Sequence, residues 1–584
     1  MRLFTRFFVF VFSALLVVSS CVPVSVSLDT SPYTTTHLIA VQSSAPINPA
    51  TASGLWMDSS VPDALSAVAQ AWNLPAATDP SSAAVSIHIA QFMPGATDRT
   101  AWVYALVAPF PTVTDGVSSY DLRSAWAGTS TGVFGGRPLL MEESTLAAFT
   151  VLWGPPASGS VKTVSANQLL DTAWSEMPSW AIVPFESLQP RWKVLTIDGQ
   201  SPIHKDFDIT QYPLVAGFQV RAANTTSYML PATNRDPNKM TTIIMTGVTA
   251  LVRATARIME IKGVTYPGQD IRDWMREADI AHVSNEIPFF TGCGYPNPSQ
   301  IALVFCSNPK YIDLLTDIGT DVVELTGNHF GDYGEAAMME TLALYKEKGI
   351  PYFGGGANLE DARKPLTLVD HGNKIAFVGC NPVDVGDFEV ATDTRAGANP
   401  CNMQYQADQI KQLKQQGYVV ISTFQYYEYY SPEARPWQQR DFRLMADSGA
   451  SIVSGSQAHF AQVMEFDGNS FIHYGLGNLF FDQMGDIPPE PGIRREFLDR
   501  HVVYDGKYIS TELLTAMLED YSRPRPMTPE ERAAFLQEYF EDSGWLPKSP
   551  TPTPAPTMTL TPMVLPTLSA TSTGSALQTP TPTP

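Results

Sequence analysis

The stretch Val322-Val323-Glu324-Leu325-Thr326-Gly327-Asn328-His329-Phe330-Gly331-Asp332 decides how this chain of 584 residues is read. Val322 to Leu325 is a short apolar run of strand type, and Gly327-Asn328 signals a turn. Beyond it Glu335 to Lys348 has helical character, with Gly349 placed to cap its end. An Asn-His pair thus stands at the carboxyl end of a buried strand, where α/β sheets gather their ligands. There an Asn oxygen can ligate a metal, while the His can donate to an anionic oxygen. The pair also has a plainer reading, because Gly-Asn simply makes a turn. The sequence around it decides between the two.

Outward from this stretch, strands and helices alternate from Met240 to about Gly506. Thr241 to Met245, Ala278 to Val283 and Asp321 to Leu325 are of strand type, with helical segments at Ile271 to Glu277, Tyr311 to Ile318 and Ala336 to Lys348. Lys374 to Val378, Tyr418 to Phe424, Ser451 to Ser454, Gln462 to Phe466 and Ser470 to Tyr474 follow as strands. The pattern predicts a full-sized α/β domain built as a layered sandwich, with a carboxyl-terminal extension that carries it over residues 240–546. An Asn-, Thr-, Pro- and Asp-rich linker over 223–239 separates it from a smaller α/β domain at 37–222. That first region alternates strands such as Trp102 to Val107 and Trp180 to Pro184 with helical segments such as Asn167 to Trp174. Residues 547–584 are Thr-Pro repeats without a charge after Lys548. Such a composition cannot offset its ordering entropy, and it predicts a disordered spacer.

The net charge of −21 excludes nucleic acid as a partner, since that needs a basic face. It also means that an anionic ligand requires a local basic pocket or a metal. Arg2 and Arg6 precede the apolar run Phe7 to Val18, which is short for a membrane span, and Val18-Ser19-Ser20-Cys21 ends it. This leader resembles a bacterial lipobox: cleavage before Cys21 would make 1–21 a lipoprotein signal and leave the sulfur to carry the lipid. An ordinary signal peptide and an uncleaved anchor are the alternatives. Residues 22–36 read as a tether, so the expected location is the outer face of a bacterial cytoplasmic membrane or the cell surface. Cys293, Cys306, Cys380 and Cys401 remain, an even number in an exported chain. Of three connectivities, Cys293–Cys306 with Cys380–Cys401 closes the shortest loops.

The second region resembles the CapA-type capsule-synthesis family, a branch of the metallophosphoesterase-like fold associated with poly-γ-glutamate capsules. Six blocks carry the resemblance in family order: Ala278 to Glu286, Leu325 to Gly334, Gly349 to Gly356, Gln425 to Tyr429, Gly449 to His459, and Tyr474 to Asp482. The resemblance implies a site of metal ligands Glu286, Asn328 and His459. It implies catalytic groups His329, Asp332 and Glu428, and a pocket completed by Asn285, Gln425, Ser456 and Asn478. Asp332 also has a plain reading as a turn residue bonding its own backbone. Three positions depart from the family. Val248 stands where the family has a metal-binding Asp, while Gln425 and Ser456 replace histidines. A dinuclear site cannot lose three ligands and keep both ions. At most one divalent ion of the manganese or zinc class is expected. The residues allow a metal-dependent hydrolase or transferase acting in capsule or envelope polymer assembly or processing. They equally allow a non-catalytic module that binds a capsule or cell-wall polymer or an anionic ligand.

Two further features bear on binding. Phe424, Tyr426, Tyr427, Tyr429 and Tyr430 form a dense aromatic run, half of which strand alternation should bury, leaving one face for stacking a ligand. In the first region, Ala108 to Pro111, Trp180 to Leu195 and Asp198 to Pro202 resemble segments of the periplasmic binding proteins of the phosphate type. An unrelated α/β accessory domain is the alternative there.

Overall fold

A computed structural model describes residues 53–549 except 131, 224, 383–387 and 485–491. Cys21, the leader, the tether and nearly all of the Thr-Pro tail lie outside the described residues.

The second region is a four-layer sandwich of the α/β class. One sheet takes the order Tyr352–Phe353, Val322–Glu324, Ile280–Asn285, Met240–Met245, Arg495–Tyr504, Lys507–Glu519, Arg523–Pro526. Its first four strands run parallel and its last three antiparallel. The second sheet has a parallel centre of Asn373–Cys380, Val419–Gln425, Ile452–Ser456 and Ser470–His473. Alternation along each strand divides its side chains between two layers. In Met240–Met245, Ile243 and Met245 enter the core between the sheets, where they meet Ile375, Phe377, Ile421 and Ile452. Ile244 faces the other way, onto Ala256, Met259, Leu315 and Met338 of the covering helices. Helices Met403–Gln415 and Pro436–Asp447 cover the second sheet through Ile410, Leu413, Phe442 and Met445. Parallel strands end on a common edge, and this brings sequence blocks far apart in the chain to one place.

The hairpin of Arg495–Tyr504 with Lys507–Glu519 extends the first sheet beyond the elements expected from sequence. Helix Pro529–Asp542 then closes the inter-sheet core with Phe535, Leu536, Tyr539 and Phe540. Its start is fixed by a capping box of Thr528 and Glu531.

The first region forms a mixed sheet of order Leu55–Met57, Val85–Gln91, Val215–Ala222, Trp102–Pro109, Trp180–Pro184, Leu139–Met141, Val161–Thr163. It is packed into the second. Phe110 sits 5.1 Å from Phe466, 5.3 Å from Phe471 and 5.7 Å from Trp545 between ring centroids. His204 meets Glu512 at 2.8 Å, and Glu512 also accepts from Arg500 at 2.8 Å. The Ala108–Pro111 segment therefore spends its aromatic side chain on the core of the neighbouring region.

Candidate functional site

Four of the sequence blocks end on the carboxyl edge of the parallel strands. Glu286 follows strand Ile280–Asn285 and is almost wholly buried. Gly327, after Val322–Glu324, lies so close to it that a Cβ there would stand 2.3 Å from the Glu286 carbonyl oxygen. Only glycine permits that approach, and the approach sets Asn328 beside Glu286. His459 follows strand Ile452–Ser456 of the other sheet, with its backbone in the left-handed region at φ 51°. A non-glycine residue held there is strained, and such strain concentrates at functional sites.

The polar atoms at this edge are incompletely partnered. Glu286 Oε1 lies 3.9 Å from His459 Nε2, and neither Glu286 Oε1 nor Asn328 Oδ1 has a hydrogen-bond partner. Buried polar groups are nearly always paired, so two orphaned oxygens at one sheet edge call for a cation or a donor. The far side of His459 is secured: its Nδ1 lies 2.8 Å from Asn478 Oδ1. With the proton on Nδ1, Nε2 presents a lone pair to the pocket.

His329 stands beside Asn328, with Nδ1 2.8 Å from Asp332 Oδ2. The same carboxylate oxygen accepts the Phe305 backbone N–H at 2.6 Å. Asp332 thus orients the imidazole rather than bonding within its own turn. Burial alone would lower the His329 pKa. The bond to Asp332 and the charges of Glu286, Asp332 and Glu389 outweigh it and hold the imidazole above its ordinary value.

The three departures have a structural counterpart. Val248 is fully buried, on the two-residue strand between Ser284 and Asn478 at this edge, where it offers no ligand atom. Ser456 Oγ donates to Gln425 Oε1 at 2.6 Å, and Gln425 Nε2 bonds Gln457. These side chains satisfy one another where the family has imidazoles. Asn285 and Glu428 are placed apart from the buried group. Asn285 donates to the Ile287 carbonyl at 2.7 Å and neighbours the Tyr345 hydroxyl in the helix layer. Glu428 is exposed and bonds Tyr430, whose ring stacks 6.5 Å from His459. Of the aromatic run, Phe424 and Tyr426 are buried while Tyr427 is exposed; the strand itself ends at Gln425 and is buried on both faces, so alternation does not divide the run.

Sequence reasoning missed two groups. Glu389 is buried with Oε2 unpartnered, its backbone against Gly331. Burial and the neighbouring Asp332 and Glu286 charges push its carboxyl up to about 8, against a smaller opposing pull from His329. No motif marks it, since it reaches the pocket from a loop. Arg253 places its guanidinium 5.1 Å from the Phe305 ring and 5.0 Å from the Phe481 ring, and these rings pack on His329 and His459 in turn. Its conspicuous backbone, at φ 43°, is invisible in the sequence.

Both expected disulfides are present, Cys293–Cys306 and Cys380–Cys401. The first closes the loop that carries Phe305.

Among the described residues, Asp279, Asp370 and His371 are the carboxylate and imidazole groups whose ligand atoms all fall within 4.8 Å of one another. They lie at the opposite edge of the sheets. Lys205 already stands 2.5 Å from Asp279 Oδ1 there.

A helix–sheet–sheet–helix sandwich with Glu, Asn-His and His gathered at the carboxyl ends of its strands defines a metallophosphoesterase-like domain. Residues 242–483 match the family described as bacterial capsule synthesis protein PGA_cap. The chain is 25% identical over 280 residues to the capsule biosynthesis protein CapA of Bacillus anthracis, covering 46% of this chain and 67% of that one. It is 25% identical over 232 residues to the PGA biosynthesis protein CapA of Bacillus subtilis, covering 40% of this chain and 60% of that one. The similarity thus spans about three fifths to two thirds of these relatives. Among solved structures, a putative 5'-nucleotidase from Staphylococcus aureus shares 12% identity at a TM-score of 0.31, over 52% of this chain and 58% of that one.

Proposed function

We propose that this protein is a bacterial cell-surface lipoprotein that acts in the assembly or processing of an anionic capsule or envelope polymer, through a pocket reduced to one cation site. The observation that carries the reading is the pair of unpartnered oxygens, Glu286 Oε1 and Asn328 Oδ1, with His459 Nε2 3.9 Å from the first. A carboxylate, an amide oxygen and an imidazole suit one ion of the manganese or zinc class. When bound, such an ion would polarise a substrate oxygen and make a bound water acidic enough to act as a nucleophile. The chain's own residues do the rest. Asn478 fixes the His459 tautomer, and Asp332 holds His329 as a proton donor towards an anionic oxygen. The bond class that suits this set is an amide or a phosphoester of the polymer.

A binding module without catalysis is the second reading, and Val248 with the closed Gln425–Ser456–Gln457 network favours it. In that case the first region would serve as a second recognition domain. The readings part in an assay of generic phosphoesters with added manganese or zinc, comparing the natural protein with a Val248→Asp, Gln425→His, Ser456→His triple variant. Turnover appearing only in the triple variant supports the reduced site. Robust metal-dependent turnover by the natural protein overturns it. Anchoring at Cys21 is tested separately: Cys21→Ala should release the protein from the membrane or block its processing.

A further inference from the structure

Beside the pocket lies a second cleft, between the start of helix Arg253–Lys262, the disulfide-closed loop of Cys293 and Cys306, and Tyr333. Its volume is about 100 Å³. By this measure a single water needs about 10–15 Å³, so the cleft has room for a small acidic arm. In a chain of net charge −21, the cleft is lined by Arg253, Asn297, Gln300 and Asn308 and by no carboxylate. No charged residue occurs from Phe289 to Pro309.

Arg253 is held for use. Its Nη2 pairs with Asp482, which also accepts the Ala254 N–H at 2.9 Å. Its Nε is buried without a hydrogen-bond partner, and the rings of Phe305 and Phe481 flank the guanidinium. Phe305 forms the wall shared with the pocket, since the same ring lies 4.8 Å from that of His329. A chain reaching from His329 to Arg253 crosses only the width of one phenyl ring. The cleft offers what the carboxylate-rich pocket lacks, a guanidinium with an unused Nε–H donor. Arginine in such a setting selects planar carboxylates through paired N–H donors.

We propose that this cleft is a subsite for a carboxylate borne by the substrate chain, bound by Arg253 while the reactive linkage lies at Glu286, Asn328 and His329. The subsite deepens the polymer reading of the pocket and rests on it for the identity of the chain. It adds a specificity for repeated acidic side groups that the pocket residues do not supply.

The test is calorimetric titration of the full chain with a short glutamate oligomer, a glutamine oligomer of equal length, and inorganic phosphate. The natural protein should bind the glutamate oligomer, more weakly as salt rises, and should not bind the glutamine oligomer. Arg253→Met should weaken binding about tenfold or more. Because Arg253 also anchors Asp482, Asn297→Asp is the second variant. Its carboxylate keeps the acceptor for the Ser299 N–H, so folding is preserved while a negative charge enters the cleft, and binding should again fall. Equal affinity for the glutamine oligomer, unchanged binding in both variants, or full displacement by equimolar phosphate would each overturn the carboxylate subsite. Glu286→Gln separates the two claims: it should abolish ion binding in the pocket, whereas Arg253→Met should leave the ion bound. Oligomer binding lost in Glu286→Gln but kept in Arg253→Met would place recognition in the pocket and refute the cleft.

Discussion

At one edge of the second domain's sheets Asp279, Asp370 and His371 meet, and at the other Glu286, Asn328 and His459 do. The two clusters have similar chemistry and opposite degrees of satisfaction. Asp279 accepts the Thr242 N–H at 2.8 Å and its hydroxyl at 2.9 Å, and pairs with Lys205. Asp370 accepts from Thr241 at 2.7 Å and from His371 at 2.6 Å. At the opposite edge the acceptors Glu286 Oε1, Asn328 Oδ1 and Glu389 Oε2 have no partner. The first cluster stabilises the fold with its polar groups. The second holds desolvated acceptors at a cost to stability, which a ligand would offset.

Several perturbations would break or sharpen this contrast. The largest effect belongs to the staples on the open edge. Replacing Cys293 and Cys306 by serine should cost about 3 kcal/mol, read from the denaturant midpoint, because the bridge restricts the unfolded chain. A loss well below that would mean the loop is held by other contacts.

Next comes the direct contrast. Asp279→Ala should destabilise by about 2 kcal/mol, since it strands the Thr242 N–H and Lys205. Glu286→Gln should change stability by less than about 1 kcal/mol, in either direction, because the removed charge has no hydrogen bond on Oε1. Equal costs at the two positions would erase the distinction between the edges.

The smallest effect is pH dependence. Glu389 has a folded pKa raised to about 8 from an ordinary 4.5, so its contribution favours folding below the unfolded value and fades as pH climbs through the folded one. His329, also raised, acts in the same direction above its ordinary 6.5. The melting temperature should therefore fall between about pH 5 and pH 8.5, and Glu389→Gln should flatten the slope. A slope unchanged in that variant would remove Glu389 from the pocket's electrostatics.

Much of this was legible in the sequence. Parallel strands bury both faces and read as apolar runs, and their loops carried the blocks that located Glu286, Asn328, His329 and His459. The hairpin Arg495–Tyr504 with Lys507–Glu519 was not legible, because its first strand buries charges that composition assigns to a surface. They are tolerated through partners distant in sequence: Arg495 with Glu538 at 2.6 Å, Asp499 with His473 at 2.7 Å, and Arg500 with Glu512 at 2.8 Å. Asp332 looked like a turn residue because its partners, the His329 ring and the Phe305 N–H, are set by tertiary approach. Glu389 and Arg253 carry no local signature at all. Phe110 was read with a ligand-binding segment, yet the structure places it in a packed aromatic cluster.

The central claim is that the pocket at the carboxyl edge, and not the satisfied cluster opposite, is the cation site, and that the loss of the aspartate position to Val248 limits it to one ion. Equilibrium binding of manganese and zinc, with stoichiometry counted by elemental analysis, tests this most directly. The account predicts one equivalent in the natural protein, lost in Glu286→Gln and in His459→Ala and retained in His371→Ala. Two equivalents in the natural protein, or one that survives Glu286→Gln and disappears in His371→Ala, would contradict it.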